Sequence, residues 1–149
     1  MIPQTIGRYA ERDVVLRTFS TLDDAGVDRH PEAALLLWVL DPGWEVERFA
    51  DAVARLLESP VAFLTVSGPR IEEMFMAMID TMNGWPTEPT TVMNVIAGLN
   101  VADSLHEFLD AASGHGGAGT DMVIVLVGDP EITGIVGGML ADCMGEIGG

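Results

Sequence analysis

Four apolar runs punctuate the chain. They are Ala33–Leu40, Val61–Val66, Thr91–Ile96 and Met122–Val127, and each leads into a turn containing glycine or proline. The turns are Asp41-Pro42-Gly43, Ser67-Gly68-Pro69, Ala97-Gly98 and Gly128-Asp129-Pro130. A stretch of helical periodicity follows each one. Short, uninterrupted apolar runs alternating with amphipathic segments are the pattern of βα units on a parallel sheet, because strands covered on both faces have no polar side to show.

The helical segments differ in quality. After the first strand, Val46, Phe49, Val53, Leu56 and Leu57 share one face, with Glu45, Glu47, Arg48, Asp51, Arg55 and Glu58 opposite. After the second, Pro69 suits a first helical position. Ile71, Met74, Phe75, Met78, Ile79 and Met82 then form the expected buried face, closed by Asn83-Gly84 as a left-handed cap. Trp85–Pro89 is expected to be a stiff surface loop. The third helix buries Val101, Leu105, Phe108 and Leu109, capped by Asn100 or Asp103. The last is capped by Asp129 with Pro130 at its first position, and its expected core stripe is Ile132, Ile135, Val136, Met139, Leu140, Cys143 and Ile147. A second face of that helix, Gly134, Gly137, Gly138, Ala141 and Gly145, holds only small residues. Each glycine costs about 1 kcal/mol of helix stability relative to alanine, so close approach by another element is the expected reason for them. Residues 8–22 fit both periods; the alternation after Val15 favours an edge strand.

The expected fold is a single α/β domain over residues 1–149. It is a three-layer sandwich with a mainly parallel sheet of four to five strands, Rossmann-like or flavodoxin-like, and helices on both faces. At 149 residues the chain can bury a core without a metal or disulfide, and its one cysteine, Cys143, allows no internal bridge. No signal peptide or membrane span is expected, and the expected location is the cytoplasm.

Charge narrows the partners. Twenty-three acidic residues face seven arginines and no lysine, a formal charge of −16. Nucleic-acid binding requires cations to displace counterions from phosphate, and an anionic membrane surface makes the same demand, so neither is expected as a partner. A basic protein partner, steered by the acidic surface, is the functional reading; solubility through self-repulsion is the plain one.

Candidate chemistry is sparse. His115 precedes its strand and Cys143 lies on an apolar helical stripe, so they do not form a nucleophile–base pair. The glycines of Ser113–Thr120 leave a helix and enter a strand, the wrong order for a phosphate cradle. His30, His106 and His115 have no zinc-ligand spacing, so neither a metal nor a cofactor is expected. Met76 stands off the core stripe of a methionine-rich helix and is the methionine suited to partner contact. Any small ligand or anion would meet Asp41, Ser67, Arg70, Asn100 and Asp129 at the carboxyl edge of the sheet.

Two functions compete. The leading one is a non-enzymatic acidic interaction module, an inhibitor or immunity-type partner or an assembly subunit. It would act as a homo-oligomer through Gly134, Gly137, Gly138, Ala141 and Gly145. The other is a small-ligand, anion-binding or enzymatic domain at the carboxyl edge. Convergence of the edge residues around a pocket favours the second; a filled-in edge beside an exposed apolar surface favours the first.

Overall fold

The computed structural model describes residues 4–86, 91–97, 100–115 and 120–147. Along the chain run β1 (Gln4–Tyr9), β2 (Arg12–Phe19), α1 (Leu22–Gly26), β3 (Ala34–Val39), α2 (Val46–Glu58), β4 (Phe63–Ser67), α3 (Ile71–Asn83), β5 (Val92–Ile96), α4 (Val101–Ala112), β6 (Met122–Val127) and α5 (Pro130–Ile147). The strands form one mixed sheet of six in the order β1-β2-β6-β3-β4-β5. β2, β6, β3, β4 and β5 are mutually parallel, and β1 is antiparallel to β2.

Two expectations are corrected here. The sheet has six strands, not four to five, and β2 is internal, with β1 outside it. Counted along the chain, the five parallel strands lie in the order 1-5-2-3-4, which is neither the dinucleotide-binding nor the flavodoxin order. The cause is β6. It inserts between β2 and β3, so the short α1 must carry the chain across it.

The central strands β3 and β6 are buried at every residue, as their apolar runs require. Their side chains alternate between two cores. Leu35, Leu37, Val39, Val123, Val125 and Val127 face α1, α2 and α3. Ala34, Leu36, Trp38, Met122, Ile124 and Leu126 face α4 and α5. Helices therefore cover both faces of the sheet.

Several local details differ from the sequence pattern. α3 begins at Ile71 rather than Pro69, with Arg70 as a left-handed N-cap residue. Its C-cap, Gly84, is right-handed (φ −86°). Phe75 and Met76 are 45% and 55% exposed, so the buried face of α3 is Met74, Ala77 and Met78. On α5 the expected core stripe is split: Ile132, Ile135 and Met139 turn outward, 45%, 60% and 47% exposed, whereas Leu140 is buried and Val136, Cys143 and Ile147 pack half-buried against the core. The buried positions are Thr133, Gly137, Leu140 and Met144, spaced by four, three and four. The reason is the position of α5 over β1 and β2, where the helix needs small residues to approach. A Cβ on Gly137 would lie 3.0 Å from Leu16 Cδ2, and one on Gly7 of β1 would lie 2.8 Å from Met144 Cε.

Arg12 is the one buried cation among the described residues, 4% exposed at the start of β2. Its guanidinium donates to the carbonyls of Thr120 (2.9 Å), Ala112 (3.0 Å), His115 (2.6 Å) and Asp121 (3.4 Å). Desolvation lowers its pKa from the ordinary value, with Asp121 opposing the shift. The contact to Ala112 places a positive charge at the C-terminus of α4, where the helix dipole favours one.

Candidate functional site

The carboxyl edge of the parallel strands carries all five polar candidates, and each is engaged locally. Asp41 folds back on its own turn, its Oδ1 accepting from Gly43 N at 2.9 Å. Ser67, 7% exposed at the end of β4, donates to the Ile96 carbonyl at 2.9 Å and ties β4 to β5. Asn100 caps α4, its Oδ1 accepting from Asp103 N at 2.8 Å. Asp129 caps α5, its Oδ1 accepting from Glu131 N at 2.8 Å. These are the bonds that asparagine and aspartate form at turns and helix starts.

Arg70 is held most tightly. Its guanidinium lies 4.1 Å from the centre of the Trp44 ring, donates to the Trp44 carbonyl and pairs with Glu73 at 3.1 Å. Trp44 Nε1 donates to the Pro69 carbonyl at 2.9 Å. The two loops beyond β3 and β4 are thereby locked together, and the cation lies against an aromatic face.

Between β3 and β6, where the following helices leave on opposite faces, a ligand crevice is the general expectation. Here Leu40 N donates to the Val127 carbonyl at 2.7 Å, and a Cβ on Gly128 would lie 3.2 Å from Leu40 Cβ. The two loops touch where such a crevice would open. Asp41, Ser67, Arg70, Asn100 and Asp129 share an edge of the sheet, but each is committed to its own turn, cap or strand pair.

Among the described residues no group of three or more His, Cys, Asp or Glu could hold a metal ion. Cys143 is a half-buried free thiol on α5. His115 stacks on Phe63, with ring centres 4.7 Å apart and planes 6° from parallel. Gly116–Gly119 of the glycine-rich segment, Thr87–Pro89 of the proposed stiff loop, Gly98 of the third turn and the terminal Gly148-Gly149 lie outside the described residues.

One charged cluster was not foreseen from the residue pattern. Asp28 accepts from Arg17 twice, at 3.0 and 2.8 Å, and meets His30 Nε2 at 2.6 Å, all three side chains being under 20% exposed. Arg17 also lies over the Phe19 ring, 5.4 Å from its centre. Aspartate and histidine two residues apart carry no motif, and the arginine comes from a different element. The cluster ties β2 to the α1–β3 connection.

The exposed surface is different in character. Phe75, Met76, Ile71, Val95 and Ala97 line an apolar depression of about 380 Å³ between α3 and β5, with Glu72 at its rim. A second depression, on the other side of α3, is lined by Val46, Met76 and Ala77 with Glu72, Glu73 and Asp80. On α5, Ile132, Ile135 and Met139 lie outward. Gly134, Gly138 and Gly145 are open, with no atom within 4 Å of where a Cβ would stand. Ala141, half-buried, borders a groove with Gln4 and Thr18.

Compared with protein-family models and with curated proteins, the chain matches none. No helix among the described residues is long and apolar enough to cross a membrane.

Proposed function

We propose that this chain is a non-enzymatic, acidic protein-interaction module: an inhibitor-type partner or assembly subunit of the cytoplasm that acts as a homo-oligomer and binds a basic protein rather than nucleic acid. The observation that carries this reading is the contrast between the two surfaces. Every polar candidate at the carboxyl edge is consumed by a turn, a cap or a loop clamp. Large apolar side chains are instead exposed on α3 and α5. Exposed apolar side chains grouped on one face mark contact surfaces, whereas single scattered ones need no explanation.

Self-association is assigned to α5. Ile132, Ile135 and Met139 project outward, and Gly134, Gly138, Ala141 and Gly145 lie beside them as the hollows a second copy would fill. Gly137 serves the same helix from within, against Leu16. A two-fold contact of this helix with its copy would be self-complementary. Glu131, Asp142 and Glu146 are exposed on the same helix, so salt should strengthen the association by screening their repulsion.

Sedimentation equilibrium at low and high salt tests this reading. The expected result is a dimer that tightens with salt and becomes a folded monomer on Ile135→Asp or Gly138→Leu. A wild-type protein that stays monomeric at high concentration and high salt overturns the homo-oligomer.

A further inference from the structure

We propose that the depression between α2 and α3 docks a basic amphipathic helix of a partner protein, with an aliphatic side chain seated on Val46, Met76 and Ala77 and cations against Glu72 and Asp80. This rests on the reading of the chain as an acidic interaction module and names the surface, the partner's chemistry and its conformation.

Three observations converge. The first is apolar surface left uncovered. α2 and α3 pack side by side on one face of the sheet, and a depression of about 390 Å³ between them is lined by Val46, Met76 and Ala77. Val46 continues the apolar stripe of α2 past the edge of the core and stands 43% exposed, and Met76, on the same depression, is 55% exposed. Methionine adapts its unbranched side chain to a partner, and apolar side chains grouped on one face mark contact surfaces.

The second is the charge around that surface. Glu72, Glu73 and Asp80 line the same depression, and no cation among the described residues does. Glu73 is paired with Arg70, whereas among the described residues no ion pair engages Glu72 or Asp80. An apolar floor bordered by carboxylates favours a partner that brings aliphatic and cationic side chains together, and rejects one that brings acids. A second copy of this chain does not supply that combination. The charged residues of α5, its exposed apolar helix, are all acidic. Among the described residues only α2 carries cations on a helix, Arg48 and Arg55, and α2 is itself a wall of the depression.

The third is geometry. Glu72, Met76 and Asp80 follow one another at four-residue intervals, are all exposed and all line this depression. They form one row along α3 with a carboxylate at each end. At about 1.5 Å per residue the row spans roughly 12 Å, and a row of the same spacing on a partner helix spans the same distance. Arginine, leucine and arginine at four-residue intervals therefore set the leucine beside Met76 and the guanidinium groups at Glu72 and Asp80, as a ridge laid into the groove between two helices. A helix also satisfies its own backbone. The depression offers side chains of α2 and α3 and no strand edge, so an extended segment would leave amides and carbonyls unpaired there.

The probe is a capped, alanine-rich peptide of about 17 residues, long enough for partial helicity, with Arg-Ala-Ala-Ala-Leu-Ala-Ala-Ala-Arg at its centre. One control moves the leucine off the row, as Arg-Ala-Leu-Ala-Ala-Ala-Ala-Ala-Arg, and a second replaces both arginines with glutamate. Each is titrated into the isotopically labelled full chain. The expected result is saturable binding of the first peptide, with a rise in its helicity by circular dichroism and shifts of the Val46 and Met76 methyl signals. Affinity should be about fivefold or more lower for the displaced leucine, which loses its seat on the apolar floor. It should fall about tenfold or more in the double variant Glu72→Lys, Asp80→Lys, which should accept the glutamate peptide instead. Both substitutions are at exposed positions, and an unchanged amide spectrum in the core confirms folding. Arginine-peptide binding that leaves Val46 and Met76 unshifted, or that ignores the leucine's position, overturns the surface and leaves the basic-partner reading standing. Binding without a gain in helicity overturns the docked helix. An arginine peptide that binds no more tightly than the glutamate peptide overturns both the docking and the basic-partner reading. Concentration-dependent shifts of Val46 and Met76 without peptide assign the depression to a second copy and overturn the proposal.

Discussion

Arg70 and Trp44 hold each other in a reciprocal clamp. The Arg70 guanidinium covers the indole at 4.1 Å and donates to the Trp44 carbonyl, while the indole N–H donates to the carbonyl of Pro69, the neighbour of Arg70. Trp44 is 4% exposed and also meets the Phe49 ring, with centres 5.1 Å apart. Arg70 takes a left-handed conformation (φ 59°, ψ 49°) to reach it, at a cost of about 1–3 kcal/mol for a residue with a Cβ. The clamp offsets that strain.

A double-mutant cycle measures the clamp. Arg70→Ala should destabilise the fold by about 1–2 kcal/mol, and the cycle with Trp44→Phe should return a coupling of about 0.5–1 kcal/mol or more. Arg70→Gly should be less harmful than Arg70→Ala, because glycine adopts the left-handed conformation freely. Urea unfolding of the four proteins is the measurement. Additive effects of the two single substitutions would show that the stacking adds nothing.

Glycines on two elements should respond oppositely to alanine. At Gly68 the backbone has φ +142°, and a Cβ would lie 2.3 Å from the Val39 carbonyl oxygen. That oxygen belongs to the neighbouring strand end and cannot move aside cheaply. Gly68→Ala should therefore cost about 3 kcal/mol or more, or prevent folding. At Gly134 on α5 nothing else in the same chain lies near, so in the dissociated chain at low concentration Gly134→Ala should raise stability by about 0.5–1 kcal/mol. Thermal unfolding of both variants checks the pair. A loss at Gly134 would mean that its hollow is occupied in solution.

How much of this was legible in the sequence follows from where the information is stored. The run Met122–Val127 marks β6 to the residue, because a strand buried on both faces needs apolar side chains at every position. Capping by Asn100 and Asp129 was legible for a similar reason: a side-chain oxygen satisfies backbone amides two or three residues away. The facing of α5 was not. Ile132 and Ile135 look like core until the position of β1 is known, and β1 has an exposed, mixed sequence. The edge residues were placed correctly on the sheet. Their commitment to turns and caps, and the Arg70–Trp44 stacking across two loops, depend on tertiary distance that spacing does not encode.

The β1–β2 hairpin escaped notice because its turn lacks turn residues. Tyr9 pairs with Arg12, leaving a two-residue loop of Ala10 and Glu11 with φ 52° and 64°. Both positions need positive φ, which Asn-Gly normally supplies. The double substitution Ala10→Asn, Glu11→Gly should stabilise the protein by about 1–3 kcal/mol without changing the register. The Arg8 guanidinium donates to the Glu11 carbonyl oxygen at 2.8 Å, a main-chain acceptor that the substitution retains. Denaturant midpoints would report the gain. An unchanged midpoint would show that Ala10 and Glu11 are not strained as placed.

Tyr9 is the only tyrosine in the chain, so its ionisation can be followed alone by ultraviolet absorbance. Its hydroxyl donates to Asp110 Oδ1 at 3.0 Å, joining β1 to α4. That hydrogen bond raises the Tyr9 pKa above 10, with desolvation and the negative charge of Asp110 adding to it. The bond needs the proton, so the phenol form is the one that the fold stabilises. The unfolded chain loses its proton first as pH rises through 10, and protons then favour the folded state. The contribution of Tyr9 to stability is therefore complete below pH 10 and declines as the pH climbs through the folded pKa. Tyr9→Phe should remove that alkaline decline and lower stability at neutral pH by about 0.5–1.5 kcal/mol, the net worth of one such bond. Asp110→Asn should return the absorbance midpoint towards the ordinary value, since both the charge and the carboxylate acceptor are lost. A midpoint at or below 10 in the native protein would show that Tyr9 and Asp110 are apart in solution, and that the hairpin does not dock on α4.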